Sequence, residues 1–188
     1  MIQGGISLQR NNAADISVKG ANGRVTLLNG RTPTGLITGT EMKVFTQVVE
    51  VETTDAPDFI DLTDTVKDII HKSGVQVGQA LVFSKHTTAA IVINENEPLL
   101  LKDMEHFLER CAPKDAYYGH NDFEIRTVSM RPNECPNGHA HCQQLLLGTS
   151  ETVPVINGEA ILGEFQRIFL IELDEPKPRQ VVLQVMGL

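Results

Sequence analysis

Long apolar runs and paired cysteines are what this sequence lacks. No apolar run approaches the ~20 residues that a membrane-spanning helix needs, and the first residues, MIQGGISLQRNN, have neither the basic start nor the apolar stretch of a signal peptide. The three cysteines, Cys111, Cys135 and Cys142, are irregularly spaced. Their odd number does not predict a disulfide framework and is typical of a reducing compartment. We therefore expect a cytoplasmic protein.

Positive charge is also scarce. The chain has 16 Lys and Arg residues against 24 Asp and Glu residues, and its net charge is −8. Binding to nucleic acid or to an anionic membrane needs a surplus of cationic side chains, because their phosphates are negative. We therefore expect no nucleic acid and no membrane among the partners, whereas a local basic pocket for a small anion remains compatible with the composition.

The common catalytic and metal-binding motifs are missing as well. Neither Ser84 nor Ser150 lies in the G-x-S-x-G turn of a serine hydrolase. The sequence has no glycine-rich dinucleotide motif and no P-loop. The spacing of Cys135 and Cys142 is not one that structural zinc sites use. A function must therefore be sought in other residues.

Two parts of the chain differ in character. Residues 1–40 are rich in Gly, Asn and Thr and contain one weak strand, 24–28, followed by an Asn29-Gly30 turn signal. They are interpreted as an N-terminal arm or extension, with a weak hairpin and a mobile tail as alternative forms. Residues 41–188 are expected to form a single domain.

The second part is predicted to be an α+β domain with a largely antiparallel sheet and a few helices. Asn96 and Asn137 are predicted to cap helices, Asn157-Gly158 predicts a tight hairpin, and the last two strands are predicted to pair with each other. Consecutive strands joined by hairpins, with the helices in separate segments of the chain, are typical of this class. The predicted strands are 42–51, 79–84, 89–93, 152–156, 159–162, 165–173 and 180–186; the predicted helices are 63–73, 97–111 and 138–147, and 114–136 is a long loop.

Histidines are the main candidates for a functional site, because imidazole is a common metal ligand and a general base near neutral pH. His86 lies in a polar break between two apolar strands, and His120 lies in the long loop. His139 and His141 lie at a helix start, where their directions differ by roughly 200°. We therefore expect His141 to face the site as a metal ligand. His139 either takes this role from the first turn of the helix or binds the small-molecule ligand instead.

An anion pocket is expected near these histidines. The unpaired N–H groups at the start of the 138–147 helix favour negative charge, and Arg126, Arg131 and Arg167 are candidates to complete the pocket. Glu95, which directly follows a strand, is a candidate base or ligand.

Six strings of residues resemble the YjbQ family: SKHTTAA at 84–90, INENE at 93–97, YGHN at 118–121, PNECPNGHAHC at 132–142, LGTS at 147–150 and LGEFQRIF at 162–169. They agree with the family in order and spacing and cover about residues 42–188. The chain departs from the family at Glu164 and Phe165, where a small hydroxyl residue and a tryptophan are usual. The family pattern falls on His86, Asn94, Glu95, Asp103, His120, Asn137, His141, Ser150, Gly158 and Gln166.

The resemblance implies a compact α+β subunit that assembles as a homotrimer, with a divalent metal, zinc or magnesium, at the histidine cluster. It also implies secondary thiamine-phosphate synthase activity. Our predicted metal ligands are His86, His120 and His141, and the predicted catalytic residues are His86, Glu95 and His141. The predicted ligand-binding residues are Asn94, Asn137, His139, Ser150, Gln166 and Arg167.

Two other functions remain open. One is a metal-dependent hydrolase or lyase acting on a small phosphorylated metabolite, with Glu95 moving the proton. The other is a noncatalytic metal- or ligand-binding trimer. The usual thiamine-phosphate synthase is a barrel of at least ~200 residues, and this sequence lacks the βα repeat, so that activity would be convergent.

Overall fold

The structure, a computed structural model, describes residues 41–188 in full and the backbone of three strands before them. The chain divides into two compact units, Met1–Gly39 and Thr40–Leu188. In the first unit, strands β1 (Leu8–Asn11), β2 (Asp15–Gly20) and β3 (Gly23–Leu28) form an antiparallel sheet in that order. The predicted Asn29-Gly30 turn lies outside the described residues, and the role of residues 1–40 as an arm remains a prediction.

The second unit combines eight strands with three α-helices. Its elements are β4 (Lys43–Val51), β5 (Asp58–Asp61), α1 (Thr63–Ser73), β6 (Val77–Ser84), β7 (Ala89–Glu95), α2 (Pro98–Cys111), α3 (Gly138–Leu147), β8 (Ser150–Ile156), β9 (Glu159–Ala160), β10 (Gln166–Glu172) and β11 (Arg179–Gly187). A single 3-10 turn, Gly119–Asn121, interrupts the long loop after α2. Among the described residues, no helix is both long enough and apolar enough to cross a membrane.

These strands form two sheets in which every pairing is antiparallel. The larger sheet has the order β4-β11-β6-β8-β9, and the smaller has the order β5-β10-β7. The predicted α+β class with a largely antiparallel sheet is therefore confirmed. Asn157 and Gly158 both have positive φ, as the predicted two-residue hairpin requires.

The smaller sheet is covered on both faces. Ile168 and Leu170 of β10 contribute to the main core, which also takes in α1 and the larger sheet. Phe169 and Ile171, on the opposite face, pack in a second cluster with Leu108 of α2 and residues of α3. Because alternate residues of β10 face two apolar layers, the strand is almost wholly buried.

The predicted pairing of the last two strands with each other is wrong. β10 pairs with β5 and β7 in the smaller sheet, whereas β11 pairs with β4 and β6 in the larger one. The reason is burial. β10 is apolar on both faces and takes the central position between two layers. Along β11 buried and half-buried residues alternate, which fits a sheet that has only one face in the main core.

Both predicted helix caps need correction. The carboxylate of Glu97, not Asn96, accepts the N–H groups of Leu99 and Leu100 at 2.9 and 2.8 Å, because Pro98 fixes the first helical position one residue later. Asn137 occupies the cap position of α3, but its side chain forms no capping hydrogen bond. Its amide donates to Asp174 instead, at 3.2 Å.

Two of the connections that cross between the two sheets lie beside each other at the same end. Residues 85–88 connect β6 of the larger sheet to β7 of the smaller, and residues 173–178 connect β10 back to β11. Backbone hydrogen bonds join these crossings, from Leu173 N–H to the Thr88 carbonyl at 3.1 Å and from Lys85 N–H to the Gln180 carbonyl at 3.3 Å. The polar residues of both crossings are thereby held in fixed positions beside each other.

Close approach of two strands makes a glycine necessary at position 78. A Cβ there would lie 2.1 Å from the Met186 carbonyl oxygen. We predict that Gly78→Ala lowers the free energy of unfolding by about 1–3 kcal/mol, measured by urea denaturation. In Gly163→Ala, the added Cβ meets only the flexible side chain of Gln166, so this control should be much less destabilised. Equal stability of the two variants would contradict the described register.

Candidate functional site

A cavity of about 900 Å³ opens at the end where the chain crosses between the sheets. Its wall is made by the two crossings, by the loop that follows α2 and by the first turn of α3. The lining residues include His86, His120 and His141 together with Lys85, Thr87, Thr88, Arg126, Arg131, Glu134, Cys135, Asn137, Asp174, Glu175, Lys177 and Arg179.

His120 and His141 lie against each other at this cavity. Their ring centroids are 4.6 Å apart and the rings are inclined at 70°. The turn that carries His120 is fixed on α3 because Asn121 Oδ1 accepts the N–H of Gly138 at 2.8 Å, which caps the helix from outside. A Cβ at Gly138 would lie 2.5 Å from Cβ of Tyr118, so the close approach needs glycine.

Arg126 organises the loop around His120. Its guanidinium donates to the carbonyls of His120, Val128 and Ser129 and to the Glu134 carboxylate at 2.7 Å. The hydrogen bond from Arg126 is the main reason why the pKa of Glu134 is lowered. His120 Nε2 is buried, forms no hydrogen bond among the described residues, and lies 3.7 Å from Glu134 Oε1. A buried nitrogen without a partner favours a ligand atom at this point.

His86 is held in one orientation by β11. Its Nε2 accepts the backbone N–H of Gln180 at 2.8 Å. Burial lowers the pKa of His86, and the charge of Arg179 adds to this effect, so the neutral ring is favoured. A neutral imidazole that accepts at Nε2 carries its proton on Nδ1. His86 is therefore arranged as an N–H donor at the cavity wall.

His141 has the complementary arrangement. Burial lowers its pKa, and the neighbouring His120 lowers it further, so the neutral ring is favoured here too. The Thr87 backbone acts in the opposite direction and raises that pKa. A neutral imidazole keeps a lone pair on one ring nitrogen, so His141 can accept a proton or bind an electrophile.

The cavity is positive although the chain is acidic. Five cationic side chains line it, against three carboxylates, and a fourth carboxylate, the buried Glu172, pairs with Arg179. Arg126 pairs with Glu134, and Lys177 pairs with Asp174 and Glu175. Lys85 donates to the neutral amide of Gln180 at 2.9 Å. In a chain of net charge −8, this local surplus favours an anionic ligand.

Of the other predicted site residues, only Asn137 lines the same cavity. Its Oδ1 is buried without a hydrogen bond among the described residues. His139 is buried and does not line the cavity, and burial lowers its pKa. Ser150 is exposed at the start of β8 and does not line the cavity.

The remaining four predicted site residues lie at the far end of the smaller sheet. Glu95 pairs with Gln166 and Asn94 pairs with Arg167, whereas Ala89 pairs with Glu172 at the cavity end. The six-residue step along β7 corresponds to about 20 Å. Arg167 is bound there to Asp61 at 2.7 Å. The fold of one chain does not bring these residues to the histidines, and their place in the same site remains a prediction.

Sequence reasoning missed Lys85, Lys177 and Arg179, which all line the cavity. The signal for Lys177 and Arg179 was the run ELDEPKPR at 172–179, in which charged residues separate two apolar strands. Assigning that run to a hairpin turn concealed its role as a wall of the site.

A three-histidine metal site does not fit this arrangement. Among residues 41–188, no three side chains of His, Cys, Asp or Glu are grouped so that they could hold a metal ion. His120 and His141 offer two imidazoles, but His86 uses its Nε2 lone pair on Gln180. The assignment of zinc or magnesium to all three histidines therefore remains a prediction without geometric support.

The contact between His120 and His141 depends on Gly138. We predict that Gly138→Ala displaces the 118–121 turn, lowers stability by about 1–3 kcal/mol, and shifts the imidazole NMR signals of both histidines. Gly119→Ala, in the same turn, places its Cβ in open space. This control should change neither the stability nor the histidine signals. If Gly138→Ala left the two histidine signals in place, the described packing of the turn on α3 would be wrong.

Comparison with known proteins agrees with the fold. The model of the family described as "UPF0047 protein YjbQ-like" matches residues 47–188. A UPF0047 protein of Methanothermobacter thermautotrophicus is 42% identical over 79% of this chain and 96% of its own length. The UPF0047 protein YugU of Bacillus subtilis is 32% identical over 75% of this chain and 98% of its own length.

Solved structures agree as well. A YbjQ-like protein of unknown function from Sulfolobus solfataricus is 33% identical, with a TM-score of 0.71 over 79% of this chain and all of the other. A YjbQ/UPF0047 protein from Clostridium acetobutylicum is 34% identical, with a TM-score of 0.65 over 74% of this chain and 98% of the other. From residue 47 onward, sequence and fold thus lead to one conclusion, that this chain belongs to the YjbQ (UPF0047) family.

Proposed function

We propose that the cavity binds a small phosphorylated metabolite and that His86 and His141 transfer protons to and from it. One observation carries the proposal: a single cavity gathers three imidazoles and five cationic side chains in an otherwise acidic chain. Its volume of about 900 Å³ lies within the range of small-molecule sites, roughly 300–1,000 Å³.

The two histidines have different roles in this proposal. His141 offers a lone pair, since burial and the neighbouring His120 lower its pKa and favour the neutral ring, and acts as the general base. His86 offers an N–H, since its lone pair is held by Gln180, and acts as hydrogen-bond donor or general acid. Two neutral imidazoles, one acting as acceptor and the other as donor, can move a proton through a bound substrate near neutral pH.

Thiamine-phosphate synthase activity is one reaction of this class. It joins a pyrimidine pyrophosphate to a thiazole phosphate, so both substrates are phosphorylated and pyrophosphate leaves. Cationic groups at fixed positions stabilise such a leaving group as its charge develops. The positive cavity supports this reaction, together with the family resemblance. Glu95 has no part in the proposal, because it lies at the far end of β7.

Substitution of single histidines tests the proposal. We predict that His86→Ala and His141→Ala each reduce thiamine-phosphate formation at least about 100-fold, measured as product released from the two phosphorylated substrates. His106→Ala, exposed on α2, should leave the rate unchanged.

Equal rates in the parent and all three variants would show that the cavity histidines do not act on these substrates. If the parent bound the substrates without turnover, the noncatalytic binding function would stand in place of the catalytic one.

The metal-dependent alternative makes a distinct prediction. Because His86 Nε2 is occupied by the Gln180 N–H, we expect zinc added to the protein to depend on His120 and His141 and not on His86. Zinc titration by calorimetry should therefore show weaker binding in His120→Ala and His141→Ala than in His86→Ala. An equal loss of zinc affinity in all three variants would support the three-histidine site instead.

A further inference from the structure

We infer that Arg179, together with the Nδ1–H of His86 and the ammonium of Lys85, forms an oxyanion subsite on the cavity floor that takes a phosphate group of the ligand. The inference deepens the proposed function and rests on it. Its central residue is an arginine at the start of β11, where the chain enters the larger sheet.

Arg179 is anchored on one side by buried acceptors. Its Nε and Nη2 atoms donate to both oxygens of Glu172, and Nη2 also donates to Thr88 Oγ1 at 2.9 Å. Glu172 is fully buried, and its Oε1 also accepts the N–H groups of Leu173 and Asp174 at 3.0 and 2.9 Å. The guanidinium plane is therefore fixed before any ligand arrives.

One edge of Arg179 is left for a ligand. Within residues 41–188, Nη1 takes part in none of the hydrogen bonds, although the residue is 4% exposed and lines the cavity. Nη1 is not one of the buried polar atoms that lack a partner, so this donor is open to the cavity and can bond to an anion there.

His86 and Lys85 bring two further donors to the same floor. His86 Nε2 and the Lys85 ammonium both bond to Gln180, the residue after Arg179. The Nδ1–H of His86 forms no hydrogen bond among the described residues, and both residues line the cavity. Three donors, two from the 85–88 connection and one from the start of β11, thus line one cavity, which suits the several oxygens of a phosphate.

A purely structural role for the Glu172–Arg179 pair makes a different prediction. A buried ion pair contributes little net stability compared with apolar residues of similar volume, and a structural brace would alter stability without altering affinity. The two roles separate when affinity is measured on folded protein well below its melting temperature.

The first test is calorimetric titration of the full chain with inorganic pyrophosphate. We expect the parent to bind and Arg179→Lys to lose about tenfold to hundredfold in affinity, because lysine keeps the charge but cannot hold Glu172 and the ligand at once. The control Arg110→Lys, exposed on α2, should bind as the parent does. Unchanged affinity in folded Arg179→Lys would overturn the subsite and leave the proposed function standing. No binding by the parent would overturn both.

A second pair of variants keeps the inference testable if Arg179→Lys does not fold. In His86→Gln the side-chain oxygen can still accept the Gln180 N–H, but the donor at the Nδ1 position is lost. In His86→Asn the amide nitrogen takes the place of Nδ1, but the acceptor for Gln180 is lost. We expect His86→Asn to bind pyrophosphate more tightly than His86→Gln despite lower stability. The reverse order of affinity would contradict the subsite.

Discussion

The buried ion pair between Glu172 and Arg179 is the constraint on which the site depends. It joins the last residue of β10 to the first residue of β11, two strands that belong to different sheets. Two charges this deeply buried require each other, because either one alone would remain uncompensated in the interior. The pair therefore fixes the point at which the chain passes from the smaller sheet to the larger.

One half of the site is positioned by this ion pair. Thr88 bonds to Arg179 from the other crossing, and Gln180, the next residue, holds both His86 and Lys85. The second half of the site comes from α3, where Asn121 caps the helix and brings His120 to His141. A rigid junction of two sheets thus faces a helix start, and their polar groups converge on one anionic ligand.

Local patterns predicted most elements of residues 41–188 but not β5, and they predicted the pairing of the strands poorly. Helix α1 begins and ends as its apolar spacing predicts, and Gly74 ends it with a φ of +67°. The placement of β10 and β11 in different sheets was not predicted, because the turn-like run between them favoured a hairpin. Arg179 was missed for a related reason: its contact with Thr88 spans 91 residues of sequence. His86, His120 and His141 were predicted because polar residues at element ends carry their own signal, whereas the distant position of Glu95 and Gln166 depends on strand register.

The central claim is that the junction of the two sheets holds a phosphate group. A crystal structure of the protein grown with inorganic pyrophosphate tests it most directly. We predict electron density for the ligand between Arg179, His86 and Lys85, with a ligand oxygen bonded to Arg179 Nη1. Density at the far end of the smaller sheet beside Arg167, or an unchanged cavity at saturating ligand, would contradict the account.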